Sequence, residues 1–316
     1  MKWKGWILAL MAFAAICILA DLAFTYGIIF RTPTSDIGRI NHLYHEHGDE
    51  IPIFGSSKAH GNYSPDAMGL NAFNYGFDGI SYEVTDVLLQ IELAKSKTTP
   101  IIIELQHNDL AADLGDQSRC VPLMFDARIR QLLKRFHAME WRYYLPGIRY
   151  FGYYDWYLKD YMSERMQLTH NITKGYKSEL HQLPFSQARL DDYVSKRLQI
   201  TSGYFPNEDQ NRRLIGHITE HPERLFFLVY SPYHPSYFAH FQNGEQLKLF
   251  DEKLKALPNV VLIDWSQMHF PDEFFLDTLH LRHEAAMEFS RKMGDKIREV
   301  LRERSGEATV EKSKGK

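Results

Sequence analysis

The sequence predicts an α/β protein: a three-layer sandwich with a central parallel sheet flanked by helices, plus an N-terminal transmembrane helix. Three observations predict it. Short apolar runs that end at glycine or polar residues alternate with segments of helical periodicity, the pattern of a parallel sheet built from βα units. The chain has 316 residues, 44% hydrophobic and 24% charged, enough for a large globular core. Its first apolar segment, from Gly5, is too long and too uniformly apolar to be an ordinary strand or surface helix.

Residues 1–30 read as a cytoplasmic tip and membrane anchor. Lys2 and Lys4 precede an uncharged run from Gly5 to Ala20; Asp21 interrupts it, and Leu22 to Phe30 continue it. As a helix, Gly5 to Phe30 measures roughly 39 Å, enough to span a bilayer with some tilt. The leading lysines favour leaving that end in the cytoplasm, with Asp21 near the outer interface. A cleaved signal peptide is the competing reading, weakened by poor cleavage chemistry around Ala20 and Ala23. Both readings export the remaining chain. Residues 31–50, with His42, His45 and His47, form a juxtamembrane linker or short helix, and their spacing offers no ligand set for a metal.

An α/β domain is expected over residues 51–302. Its strands are Ile51–Phe54, Asn71–Tyr75, Pro100–Leu105, Leu225–Tyr230 and Val260–Ile263. Helices are expected at Glu83–Lys95, from the spacing of Val84, Val87, Leu88 and Ile91, around Gly244–Leu257, and over Arg282–Leu301. A stretch at about 110–205 breaks the alternation and is dense in aromatics, from Trp141 to Tyr161. It suits an inserted subdomain with an aromatic core, a sugar-binding cleft or a membrane-surface belt. Residues 303–316 are a charged, flexible tail. Asn171-Ile172-Thr173 matches a glycosylation sequon. A net charge of −3 leaves no basic footprint for nucleic acid, and Cys17 and Cys120 are not expected to pair.

Two short segments carry chemistry. Gly55-Ser56-Ser57 follows the first strand, so Ser57 stands on a strand-to-helix turn. Asp277-Thr278-Leu279-His280 precedes the last helix and offers an imidazole beside a carboxylate. A serine hydroxyl becomes a useful nucleophile when an oriented imidazole takes its proton. Each segment alone also suits helix capping. Together, at strand carboxyl ends, they point to an acyl-transfer enzyme.

These residues resemble the SGNH (GDSL-type) hydrolase superfamily over about residues 50–300, a flavodoxin-like fold. Gly55-Ser56-Ser57 stands where that family has Gly-Asp-Ser, Asn74-Tyr75-Gly76-Phe77-Asp78-Gly79 where it has Asn-x-Gly-x-x-Gly, and Gln106-His107-Asn108-Asp109 where it has Gly-x-Asn-Asp. Asp277 and His280 match its Asp-x-x-His block. The Gly-Ser-Ser variant resembles membrane-anchored members that acylate cell-envelope polymers, including the lipoteichoic acid D-alanylation proteins. The resemblance implies a catalytic triad of Ser57, His280 and Asp277, and an oxyanion hole from Ser57, Gly79 and Asn108. Should Asn108 not serve, Gln106 or His107 faces the site. Lys58 and Asn74 are assigned to substrate binding, Lys58 through attraction of an anionic glycan, against its default reading as a solvated lysine. No metal or cofactor is implied.

The expected function is thus an extracytoplasmic serine esterase or O-acyltransferase, such as an O-acetyltransferase, acting on a cell-envelope glycan, exopolysaccharide or other acylated polymer. An alternative is a non-catalytic glycan-binding or accessory partner of a multi-pass membrane acyltransferase. A third is a lipid esterase held at the membrane.

Overall fold

The computed structural model describes residues 2–32, 35–106, 120, 124, 126–167, 174–176, 185–200, 208–238 and 244–306. The chain forms two compact units, one of Met1–Glu46 with Asp113–Ile172 and one of His47–Ala112 with Thr173–Lys316. The aromatic stretch is therefore divided. Residues 113–172 group with the N-terminal helix, and the chain from Thr173 groups with the sheet.

In chain order the elements are α1 (Lys2–Gly27), α2 (Ser35–His45), β1 (Ile51–Phe54), α3 (Ser57–Asn62), α4 (Pro65–Met68), β2 (Ala72–Asn74), α5 (Tyr82–Leu93) and β3 (Ile101–Glu104). Then come α6 (Ala127–Arg135), α7 (Tyr154–Gln167), α8 (Gln187–Ile200), α9 (Glu208–Glu220), β4 (Phe226–Tyr230), α10 (Pro235–Phe238), α11 (Gly244–Lys255), β5 (Val260–Asp264) and α12 (His283–Ser305). The expected strands and helices of the sheet unit all form, with ends within a few residues of the apolar runs.

The five strands are all parallel, in the order β2-β1-β3-β4-β5. Side chains alternate across the sheet. Ile51, Ile53, Ile102, Phe227, Val229 and Ile263 join one cluster with Phe289, Met293 and Ile297 of α12. The intervening Phe54, Ile101, Ile103, Phe226 and Leu228 are equally buried and lie outside that cluster. Both faces are therefore covered, which is why the strands read as unbroken apolar runs. Pro52 is tolerated inside β1 because its neighbours make the β2 bonds, Ile51 donating to Asn71 and Ile53 accepting from Tyr75, so its missing N–H faces β3 ahead of the first β1–β3 register pair, Ile53 with Ile102.

Helix pairing over the sheet is reinforced by buried charge. Arg213 of α9 bonds Glu83 of α5 at 2.7 Å, His217 bonds Asp86 at 2.8 Å, and the fully buried Arg224 reaches Glu92 at 3.0 Å and the Thr99 carbonyl at 2.6 Å. Each bridge joins segments far apart in sequence, and none is readable from local periodicity.

In the other unit, Trp3–Arg31 is a helical segment long and apolar enough to cross a membrane. Residues 31–50, expected as a linker or short helix, contain α2. There His45 Nδ1 contacts the Asn41 carbonyl at 2.7 Å, and Tyr44 donates to Asp126 at 2.6 Å. The sequon lies outside the described residues.

Candidate active site

Strand order changes direction between β1 and β3, the switch point where open parallel sheets hold ligands at their carboxyl ends. Gly55 leaves β1 there with φ +152°. A Cβ on it would stand 2.7 Å from the Ala59 Cβ and 2.8 Å from the Glu104 Cβ, so only glycine lets the chain turn this sharply into α3. Ser57, partly exposed, is the first residue of α3. Its backbone N–H is among the unpaired donors of a helix's first turn.

The second segment arrives from the far end of the chain. Phe275 and Leu281 form an antiparallel bridge, closing a tight loop between them. Within it, Asp277 Oδ1 accepts the N–H groups of Leu279 at 2.7 Å and His280 at 2.9 Å. The same carboxylate takes His280 Nδ1 at 2.8 Å through Oδ2. An ionised carboxylate only accepts, so Nδ1 carries the proton and Nε2 is the open base. Nε2 lies 2.9 Å from Ser57 Oγ, which donates to it. The three residues expected to act together are thus joined in one hydrogen-bonded line.

The electrostatics follow from that geometry. Burial alone would raise the Asp277 carboxyl, but the His280 charge and hydrogen bond, with the two backbone donors, hold it down to about 2. Burial alone would lower the His280 imidazole. The Asp277 charge and hydrogen bond outweigh it, Asp78 adds to them, and the net shift is upward despite the opposing charge of Lys58.

Asn62, which sequence reasoning missed, aligns the two segments. Its amide oxygen accepts the Leu281 N–H at 3.0 Å, and its amide nitrogen reaches the Leu279 carbonyl at 3.3 Å. It therefore grips the backbone on either side of His280 from the helix that begins with Ser57. A second pair lies beside the first: His60, three residues along α3 from Ser57, holds Asp78 at 2.8 Å. Gly79 follows in that turn, exposed and with φ +69°. Gln106 donates to Ser56 Oγ, next to the nucleophile, while Asn108 and His107 lie outside the described residues.

Two assigned substrate contacts are corrected. Lys58 is fully buried, not solvated: its Nζ lies 3.0 Å from Glu104 Oε1, donates to the Ser231 carbonyl at 2.9 Å and stands 3.3 Å above the Tyr233 ring. Its charge answers Glu104 and is withheld from any glycan. Burial lowers its ammonium to about 8, with Glu104 limiting the fall. Asn74 is also fully buried. It donates to the carbonyls of Ala59 at 2.7 Å and Tyr63 at 2.8 Å and accepts the Gly76 N–H at 2.8 Å, so it ties the end of β2 to α3. Both side chains support the nucleophile's platform from behind.

A family model of uncharacterised proteins matches residues 187–302, less than half of the chain. The matched span holds β4, β5, Asp277 and His280 and leaves out Ser57. No curated protein matches the chain.

Proposed function

We propose that this chain is an SGNH-type serine acyl-transfer enzyme, anchored by α1 with its sheet unit outside the cytoplasm, acting on an acylated cell-envelope glycan. The observation that carries this reading is the Ser57–His280–Asp277 line, at 2.9 and 2.8 Å, on the carboxyl ends of a parallel sheet. In the first step Ser57 Oγ bonds to an ester carbonyl carbon as its proton passes to His280 Nε2. The tetrahedral oxyanion is held by the Ser57 and Gly79 N–H groups, with the Asn108 amide as the third assigned donor. Collapse expels the alcohol, which leaves with the proton from Nε2. In the second step water or a glycan hydroxyl gives its proton to Nε2 and takes the acyl group; the ester bond to Ser57 Oγ breaks, and Nε2 returns the proton to that oxygen. A small acyl group such as acetyl and a sugar hydroxyl suit the envelope setting, with a multi-pass membrane acyltransferase as the candidate donor partner. Ser56 and Gln106, standing where the resembled family has aspartate and glycine, favour a second reading, an accessory binding protein with an idle triad.

The two readings separate by pH. Only neutral His280 accepts the serine proton, so turnover of a chromogenic acetyl ester rises with pH as the imidazole loses its proton. Because Asp277 raises that imidazole, the midpoint of kcat/KM lies above the ordinary value of about 6.5. Asp277→Asn lowers the midpoint and cuts kcat by roughly 10⁴-fold. An idle triad gives no ester turnover at any pH.

A further inference from the structure

The unit built from residues 1–46 and 113–172 carries an inference independent of the catalytic reading. It rests only on reading α1 as a membrane span. Asp21 is the acidic residue inside the apolar segment, where an unpaired carboxylate is costly. It is only 2% exposed. Its Oδ1 accepts the Gly147 N–H at 3.1 Å and faces Arg149 Nε at 3.0 Å. Four residues on, the Thr25 hydroxyl meets the Tyr150 hydroxyl at 3.0 Å. Phe24 packs edge-on to Tyr154 with ring centroids 4.7 Å apart. Gly147, with φ +85°, lies directly on the helix: a Cβ there would come within 3.0 Å of the Cys17 Cβ. Residues 147–154 are therefore strapped along α1 from Cys17 to Thr25.

Their depth follows from helix geometry. With Lys2 and Lys4 at the cytoplasmic face, Cys17 to Asp21 stand roughly 21–27 Å beyond Trp3, against a hydrocarbon core of about 30 Å. The strap thus meets the helix at the outer edge of the bilayer. What it leaves uncovered is aromatic and apolar: Trp141 is 72% exposed, Phe151 67%, Tyr144 52% and Leu145 45%. Such a patch is expensive in water, and tryptophan and tyrosine favour the lipid–water boundary. Its cations lie close by, with Lys134 5.7 Å from the Tyr144 ring centroid and Arg142 paired to Glu140.

We propose that residues 141–154 form a collar seated in the lipid headgroup boundary of the outer leaflet, with Trp141, Tyr144 and Phe151 in contact with lipid. The ion pair between buried Asp21 and half-buried Arg149 attaches the collar to the span and neutralises the charge that would otherwise face hydrocarbon.

The test uses the full chain in phosphatidylcholine vesicles, in two single-tryptophan forms. One keeps Trp141, with Trp3, Trp6, Trp156 and Trp265 replaced by phenylalanine. The other keeps only Trp6. The expected result is Trp6 emission quenched by bromines deep in the acyl chains. Trp141 emission should be quenched by bromines near the headgroup, about twofold more than by aqueous iodide. If Trp6 responds to brominated lipid while Trp141 responds only to iodide, the collar is overturned and the anchor stands; a protein partner then becomes the occupant to seek. If Trp6 ignores brominated lipid, the span itself fails and the collar with it. Circular dichroism reports whether each form folds. Should the multiply substituted chain not fold, 5-fluorotryptophan resonances of the unsubstituted chain, broadened by a lipid-borne nitroxide, read the same contact.

Discussion

Ser57→Ala in the full-length chain in detergent is expected to slow acetyl-ester turnover by about 10⁴- to 10⁶-fold, and His280→Ala by a similar factor. The double variant should be hardly slower than either single one, because nucleophile and base act as a unit. The folded state should survive both changes. Ser57 is partly exposed, and the described bond of its hydroxyl is the one to Nε2. His280, about a fifth exposed, shares with Asp277 a bond whose loss leaves that carboxylate its two backbone donors. The comparison is kcat against the thermal midpoint. A loss of turnover with an unchanged midpoint assigns the effect to chemistry. Near-native turnover in Ser57→Ala would remove the triad from the account.

The largest expected effect on stability comes from Lys58, one residue from the nucleophile. Lys58→Met leaves Glu104 with both its Ser231 donors and the Tyr63 hydroxyl, but with no countercharge in a buried site. Breaking such a pair from one side costs about 3–5 kcal/mol. Glu104→Gln alone strands the ammonium in the same way. The double variant Lys58→Met/Glu104→Gln removes both charges and should recover most of the loss, since a matched pair replaced together is often near neutral. Thermal unfolding of the four chains forms the cycle. The single variants should each melt on the order of 10 °C lower than the native chain, and the double variant within a few degrees of it. Equal, additive losses would mean that the pair does not act as a unit.

Why Lys58 reads as solvated although it is buried, while the neighbouring Ser57 reads as a partner of His280 and stands 2.9 Å from its Nε2, is a matter of range. The strands around Ile53, Ile102 and Leu228 were legible because burial on both faces writes itself into consecutive apolar residues. Asp277 and His280 were legible because one short loop presents both. Lys58 of α3 finds its partner at Glu104, at the end of β3, and in isolation a lysine after a helix start reads as solvated. Asn62 has the same difficulty in a stronger form. It acts through the backbone of Leu279 and Leu281, and nothing in those residue types announces a partner. Asn74 matched a motif position, yet the three described bonds of its side chain all go to backbone, of Ala59, Tyr63 and Gly76.

The N-terminal half shows the same limit. Asp21 was readable as a charge in an apolar run, and its place near the outer interface was arguable from spacing. Its burial against Gly147 and Arg149 was not, because they lie beyond three strands of the sheet in sequence. The consequence is practical. A chain trimmed at residue 31 would strip Arg149, Tyr150 and Gly147 of the helix they pack against, so the intact chain is the appropriate material for activity work.

The most direct test of the central claim is therefore covalent. The full-length chain in detergent, and its Ser57→Ala variant, are treated with a fluorophosphonate, and the adduct is mapped by peptide mass. An activated serine predicts one adduct on Ser57, formed faster as pH rises through the His280 midpoint and absent from the variant. A folded native chain that takes no adduct, or takes one equally in Ser57→Ala, would contradict the account.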